Sequence, residues 1–167
     1  MTSLNKGRLR KAAYIEELAE AIKDAKPYYA DSGAKLRGLN SRINQFPKSP
    51  GVYLILRKVE LPDKGYQTKG VNTKFPLVLY VGKTTAKRTI RERLHDHFGR
   101  IIMSYQGSQF RKFLYQVIQN EEALKTVLWS DSTLIACVPI EASDEVIDYV
   151  ENLAIQVFKP RFNIKDR

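Results

Sequence analysis

Three short segments with strand-like composition constrain the fold of this chain more than any other feature. They span 52–58, 76–81 and 133–140, and turn-forming or polar residues border them, as is usual at strand ends. The stretch 58–75 between the first two is rich in Lys, Gly, Pro and Thr and reads as a long loop or hairpin tip. These two strands are therefore most simply antiparallel neighbours.

Apolar residues at helical spacing predict the elements that cover this sheet. Helices are expected at 8–25, at 33–46, at 109–119 and from Ser143 to just before Pro160. The last of them carries an apolar stripe of Val146, Val150, Leu153 and Val157. The run from Thr89 to Glu92 has the spacing of a capping box, which predicts a further helix to about Phe98. Few strands and several helices indicate an α+β fold with a small three-stranded antiparallel sheet flanked by helices.

One compact unit is expected, because 167 residues suffice for a single domain with its own core. We expect residues 1–46 to form an N-terminal helical extension. Residues 47–167 would form the main domain, with 58–75 as an insertion. The single cysteine, Cys137, predicts neither a disulfide nor a thiolate zinc cage, and it is expected to be a small buried hydrophobe.

The net charge of +10 favours a polyanionic partner. Nucleic acid fits better than an anionic membrane surface, because the basic residues are spread over loops and helix starts and do not form one amphipathic helix. Residues 1–11 contain no apolar h-region, and no apolar run approaches the roughly 20 residues that cross a bilayer. We therefore expect a cytoplasmic protein with no membrane partner.

Five separated elements contain residue types suited to phosphodiester chemistry. They are Gly51-Val52-Tyr53, Tyr80-Val81-Gly82 followed by Lys83, Arg93 with His97, Glu151, and Asn163. Arginine can direct two hydrogen bonds to phosphate oxygens, histidine can transfer a proton near neutral pH, and a glutamate is a hard oxygen ligand for magnesium. A spacing of four residues places Arg93 and His97 on one helix face. A tyrosine has a free pKa of about 10, so Lys83, His97 or a metal-bound water would have to lower it.

These elements, in this order, resemble the GIY-YIG nucleases over roughly residues 50–165. The resemblance implies DNA hydrolysis with Mg²⁺ or Mn²⁺ that leaves 5′-phosphate and 3′-hydroxyl ends. It implies catalytic roles for Tyr53, Tyr80, Lys83, Arg93, His97, Glu151 and Asn163. Glu151 is the expected metal ligand, and Tyr53 paired with His97 is the expected general base. Asn163 is expected to anchor one tyrosine or the phosphate.

The chain also departs from the minimal family pattern. Valine replaces isoleucine in both triplets, and the intervals from Tyr53 to Tyr80 and from Tyr80 to Arg93 are longer. Residues 1–45 have no counterpart in the minimal domain. The long interval between the strands is similar to insertions in the restriction endonucleases of the family, which favours that branch.

Basic residues near the expected site are the candidates for contact with double-stranded DNA. They are Lys64, Lys69 and Lys74 in the insertion, and Lys87, Arg88, Arg91, Arg111 and Lys112 around the site. Arg91 also competes with Arg93 for the catalytic role, but only Arg93 stands four residues before His97. His95, two residues from His97, is expected to face solvent.

The function predicted is a sequence-specific, double-strand DNA endonuclease of the restriction type. With one site in each chain, cutting both strands requires a homodimer on DNA or two successive visits. A nicking nuclease of a phage or mobile element is an alternative, and so is a catalytically idle DNA-binding module with the same fold. The run Gly82-Lys83-Thr84 mimics the end of a phosphate-binding Walker A loop, but Leu77 stands where that motif requires glycine.

Overall fold

The computed structural model describes residues 3–28, 45–58, 77–99 and 108–163, without the side chains of 3–9 and of Glu121. The elements in these ranges are α1 (Ser3–Lys23), β1 (Lys26–Pro27), β2 (Gly51–Arg57), β3 (Leu77–Thr84), α2 (Ile90–Leu94), a π-helical segment (His95–Gly99), α3 (Gln109–Ile118), α4 (Glu121–Leu128), β4 (Thr133–Pro139) and α5 (Asp144–Phe158). The predicted α+β class is confirmed. Nearly all of the predicted helix 33–46 and of the insertion 58–75 lies outside the described residues.

The described strands form a four-stranded antiparallel sheet in the order β1-β4-β2-β3. The predicted number of three strands is wrong, because Lys26 and Pro27 pair with Ile135 and Leu134 of β4. Proline lacks the N–H that an inner strand would need, so it is tolerated in this edge strand. The central strand is β2, and all seven of its residues are buried.

The alternating side chains of β2 divide the core into two apolar clusters, one on each face of the sheet. Tyr53 and Ile55 belong to the cluster formed with α2, the π-helical segment, α3 and α4. Val52, Leu54 and Leu56 belong to the cluster formed with α1 and α5. Helices therefore cover both faces of the sheet, and Tyr53 lies beneath the helices that follow β3. Within the ranges given above, no helix is long and apolar enough to cross a membrane.

The predicted capping box at the start of α2 is confirmed. The hydroxyl of Thr89 accepts from the N–H of Glu92 at 3.2 Å, and the Glu92 carboxylate accepts from the N–H of Thr89 at 2.7 Å. After Leu94 the helix widens into the π-helical segment, which the sequence did not predict. The helix α4 was also missed, although Leu124, Val127 and Leu128 recur at helical spacing and are buried.

The apolar stripe predicted for α5 is partly wrong. Its buried residues are Ile147, Val150, Leu153 and Ala154. Val157 is 44% exposed, and Val146 is only partly buried. The buried face is therefore rotated from the predicted one, and the Glu151 side chain lies partly buried at its margin.

A β-bulge in β3 lies directly before Tyr80. Tyr80 pairs with Ile55 and Val78 pairs with Leu56, so Leu79 has no partner of its own in β2. A bulge adds one residue to a strand and redirects the side chains on one side of it. As a result, both Leu79 and Tyr80 contact the cluster that contains Tyr53.

Candidate active site

Tyr53 crosses the face of the sheet above Gly82. The two residues are paired in the register of β2 and β3, and Tyr53 has no exposed surface. A Cβ atom at Gly82 would overlap the phenol ring and hydroxyl of Tyr53. The glycine of the Tyr80-Val81-Gly82 triplet therefore provides the space in which the tyrosine of the other triplet lies.

Replacing Gly82 by alanine is expected to destabilise the fold by about 1–3 kcal/mol, the usual cost of overpacking a filled core. Urea unfolding would measure this loss. The matched background is Tyr53→Leu, which removes the ring that the new methyl group would meet. Gly82→Ala should cost clearly less in that background, as in any double-mutant cycle of contacting residues. An equal loss of unfolding free energy in the two backgrounds would show that the Tyr53 ring is not the reason that position 82 requires glycine.

His97 lies between the Tyr53 and Ser108 hydroxyls in a buried chain of hydrogen bonds. Its Nε2 is 2.6 Å from the Tyr53 hydroxyl oxygen, and its Nδ1 is 2.7 Å from the Ser108 hydroxyl oxygen. The ring has no exposed surface and packs edge-on against Phe98 and Phe110. Burial, together with the positive charge of nearby arginines, lowers the pKa of His97 well below its ordinary value. The free protein therefore holds His97 as a neutral imidazole at physiological pH.

Arg93 joins the two tyrosines. Its guanidinium lies within hydrogen-bonding reach of the hydroxyls of both Tyr53 and Tyr80, and it opposes the rise in the pKa of each. It also lies 3.6 Å from the carboxylate of Asp96, which Arg88 contacts at 2.6 Å. Partial burial acts to lower the pKa of Arg93, but Tyr53, Tyr80 and Asp96 raise it above its ordinary value. A permanent positive charge is thus fixed between two phenols.

The two phenols differ in their access to water. Burial and the neighbouring Tyr80 raise the pKa of Tyr53 far above its ordinary value, although Arg93 opposes the shift. Burial also raises the pKa of Tyr80, but Tyr80 is only partly buried. Neither tyrosine pKa is therefore lowered in the free protein. Tyr80 is the phenol with solvent-accessible surface, so it is better placed than Tyr53 to contact a water molecule.

Lys83 and two carboxylates of α5 form the polar margin of the site. The Lys83 ammonium lies 2.9 Å from Glu151 and 2.7 Å from Asp148. Burial acts to lower the pKa of Lys83, but its hydrogen bonds with these carboxylates raise it overall. Glu151 also raises the pKa of both Tyr53 and Tyr80, which places its charge close to the two phenols.

The donor atoms at this margin suit a hard cation. Glu151 presents a carboxylate whose side chain is 17% exposed, and Asp148 presents a second carboxylate one helical turn earlier. One or two carboxylates, completed by water and substrate phosphate, are an ordinary donor set for Mg²⁺. The residues that the structure describes contain no group of three or more His, Cys, Asp or Glu side chains that could hold a metal ion. The donor set therefore fits magnesium or manganese held mainly by water and phosphate.

Asn163 holds the backbone of the second triplet. Its side-chain oxygen accepts from the N–H of Val81 and its side-chain nitrogen donates to the Val81 carbonyl, both at 2.6 Å. The N–H groups of Arg161 and Phe162 donate to the carbonyls of Val78 and Leu79. The segment 161–163 therefore runs along the outer edge of β3 and fixes the strand on both sides of Tyr80. Asn163 was expected to anchor a tyrosine or the phosphate; it contacts the backbone of Val81, the residue after Tyr80.

The basic residues expected to contact DNA have different surroundings. Lys87, Arg88 and Lys112 are exposed, and Arg88 is tied to the site through Asp96. Arg91 donates twice to the carbonyl of Phe46, at 2.9 and 2.6 Å, and so holds the segment before β2 in place. Arg111 is only 5% exposed, so little of its side chain is accessible to DNA in this structure. Lys64, Lys69 and Lys74 lie outside the described residues.

Sequence reasoning missed three residues that complete the site. Asp96 contacts both Arg88 and Arg93, Asp148 shares Lys83 with Glu151, and Ser108 contacts His97. Asp148 could have been found, because it precedes Glu151 by three residues on one helix. Ser108 precedes a predicted helix, as an N-cap residue does, but nothing in the sequence relates it to His97. The expectation that His95 faces solvent is wrong in part, because that side chain is half-buried and its Nδ1 is buried.

No family model, curated protein or solved structure matches this chain. The function must therefore be inferred from the side chains around Tyr53 and Tyr80. Two phenols, a guanidinium, an imidazole, an ammonium and a carboxylate occupy one region of the fold, although they come from β2, β3, α2, the π-helical segment and α5.

Proposed function

We propose that this protein is a divalent-metal-dependent DNA endonuclease of the GIY-YIG type. The observation that supports this most directly is the Arg93 guanidinium shared by the Tyr53 and Tyr80 hydroxyls, with the Glu151 charge close to both. These groups are separated by up to 98 positions in the chain, yet they converge at one margin of the sheet. A structural role for each residue separately would not require this convergence.

Arg93 is the residue suited to the phosphate. Its charge is already oriented by the two phenols and Asp96, so it needs no reorganisation when negative charge develops on the phosphoryl oxygens. Tyr80 has solvent-accessible surface and is suited to orienting the attacking water. Tyr53, buried against His97, is suited to holding Arg93 and Tyr80 in place and to passing a proton to Nε2 of His97.

Glu151 is the residue suited to holding Mg²⁺ or Mn²⁺, with Asp148 as an additional oxygen donor. When bound, such an ion supplies charge stabilisation to the scissile phosphate and to the leaving 3′ oxygen. In this structure, Lys83 forms ion pairs with both Glu151 and Asp148. If Glu151 binds a metal ion, the Lys83 ammonium must shift toward Asp148 or toward the phosphate. Its positive charge remains close to the reacting phosphate in either position.

We further propose that the substrate is double-stranded DNA and that cleavage is sequence-specific. The net charge of +10 supports a polyanionic substrate, and Lys87, Arg88 and Lys112 are exposed and so accessible to phosphates. Each chain has one candidate site, so a double-strand cut would use two copies or two successive cleavage events. A nicking enzyme of a phage or mobile element would use the same residues with a single event.

The test is incubation of purified protein with supercoiled plasmid and with phage DNA, with Mg²⁺ and with EDTA. We expect cleavage with Mg²⁺ and none with EDTA. Linear or discrete fragments would indicate double-strand cutting, and relaxed circles would indicate nicking. Sequencing of the fragment ends would identify the recognition site and the expected 5′ phosphates. Retarded but uncut DNA under all metal conditions would contradict the proposal and indicate a binding module.

A further inference from the structure

Ser108 has two hydrogen-bonding contacts that serve different purposes. As the N-cap of α3, its hydroxyl oxygen accepts from the N–H of Arg111 at 3.1 Å. The same oxygen lies 2.7 Å from Nδ1 of His97. Ser108 is 3% exposed, and His97 is fully buried. Capping a helix requires only the first contact, so the second one needs its own explanation.

The contacts of Tyr53 indicate which ring nitrogen of His97 bears the hydrogen. The Tyr53 hydroxyl oxygen accepts a hydrogen bond from Arg93, so its own proton must be donated elsewhere. Among the side chains that the structure describes, the acceptor within reach is Nε2 of His97, at 2.6 Å. A neutral imidazole has one N–H and one acceptor nitrogen, so Nδ1 must then bear the hydrogen. Ser108 is the group that accepts it.

We propose that Ser108 is a positioning residue that holds His97 in the tautomer protonated at Nδ1 and so leaves Nε2 as the acceptor for the Tyr53 hydroxyl. Nδ1–H donates to one lone pair of the Ser108 oxygen while the N–H of Arg111 occupies the other. Because Ser108 accepts from Nδ1–H, Nε2 is free to accept from Tyr53; in the reversed tautomer the buried proton of the Tyr53 hydroxyl would have no acceptor among the described side chains. The effect on DNA cleavage rests on the function proposed above, whereas the tautomer does not.

The tautomer can be measured by ¹⁵N–¹H correlation spectra of the histidine rings. The chain has two histidines, and a His95→Gln variant would assign their signals. For His97 at neutral pH we expect a protonated Nδ1 and a pyridine-type Nε2. Ser108→Thr keeps the hydroxyl and should keep this signature. Ser108→Ala and Ser108→Gly remove the hydroxyl and should shift the signature to mixed or reversed tautomers. Glycine costs an N-cap position less than alanine does, so Ser108→Gly protects the test against misfolding.

A matched control separates tautomer selection from helix capping. Asn120 caps α4 by accepting from the N–H of Ala123 at 2.9 Å, and it does not contact the site. Asn120→Ala should lower stability as a lost cap does and leave the His97 signature unchanged. In cleavage assays we expect Ser108→Ala and Ser108→Gly to lower kcat about tenfold with little change in KM, and Asn120→Ala to change neither.

Three results would overturn the inference. They are a wild-type His97 protonated at Nε2, an unchanged His97 signature in both Ser108→Ala and Ser108→Gly, and an equal change of the signature in Asn120→Ala. A wild-type protein that cuts no DNA would instead contradict the proposed function, and the spectra would still decide the role of Ser108.

Discussion

Replacing Arg93 by alanine is expected to reduce the rate of DNA cleavage by at least about 100-fold, as does removing other preorganised charges that act on a developing oxyanion. The guanidinium is oriented by Tyr53, Tyr80 and Asp96, so its loss removes both the charge and the group that joins the two phenols. Single-turnover cleavage at saturating protein would measure the effect on the chemical step. Arg93→Lys should recover only part of the rate, because an ammonium cannot contact both hydroxyls in the same forked geometry.

The matched control for the lost charge is Lys23→Ala. Lys23 is an exposed cation at the end of α1 that pairs with Glu20, and its removal should leave cleavage unchanged. DNA binding in Ca²⁺ should be weakened only modestly by Arg93→Ala, because Arg93 contributes one of several positive charges. An Arg93→Ala protein that is folded and cuts at the wild-type rate would refute the assignment of the site.

Replacing Glu151 by glutamine is expected to reduce Mg²⁺-dependent cleavage by at least about 100-fold. Mutating a residue that merely supports a metal ligand can already cost about 100-fold in activity, and Glu151 is expected to be a ligand itself. The amide keeps the size of the side chain but has neither the charge that holds a hard cation nor the charge that holds Lys83. Raising the Mg²⁺ concentration or substituting Mn²⁺ should restore part of the rate, which would indicate that the variant is limited by metal affinity.

Glu145→Gln provides the comparison on the same helix. Glu145 is exposed in the first turn of α5, and its charge interacts favourably with the helix dipole without contacting the site. It should lower stability slightly and leave the Mg²⁺ dependence of cleavage unchanged. Thermal unfolding of both variants would separate effects on stability from effects on metal use. A Glu151→Gln protein with the wild-type rate and the wild-type Mg²⁺ dependence would exclude Glu151 as the metal ligand.

The parts of the structure that follow from local chemistry could be predicted from the sequence. The capping box at Thr89 and the strand at Gly51–Arg57 depend on residues close together in the chain, and both were predicted correctly. The space that Gly82 leaves for Tyr53 depends on strand register, which no local pattern fixes. The bulge at Leu79 depends in the same way on the pairing of β2 with β3.

The structure brings the predicted site residues together, but in a geometry that the sequence did not predict. A four-residue spacing predicted Arg93 and His97 on one α-helical face, but the turn containing His97 is π-helical. The His97 ring is directed into the core, toward Tyr53 and Ser108. The expected general base, Tyr53, is buried by helices that are distant in the sequence, and this burial raises its pKa. Burial of this kind depends on tertiary packing and is not encoded in the spacing of motifs.

The contact of segment 161–163 with β3 restricts how two copies of this protein can associate. An unpaired strand edge invites intermolecular strand addition, in which a second copy extends the sheet through its own backbone. On β3, the backbone groups that a second strand would pair with are already hydrogen-bonded. The carbonyls of Val78, Leu79 and Val81 and the N–H of Val81 bond to segment 161–163. At the opposite edge, β1 has only two residues. Two copies that cut opposite strands of one duplex would therefore have to associate without extending the sheet through this described part of β3.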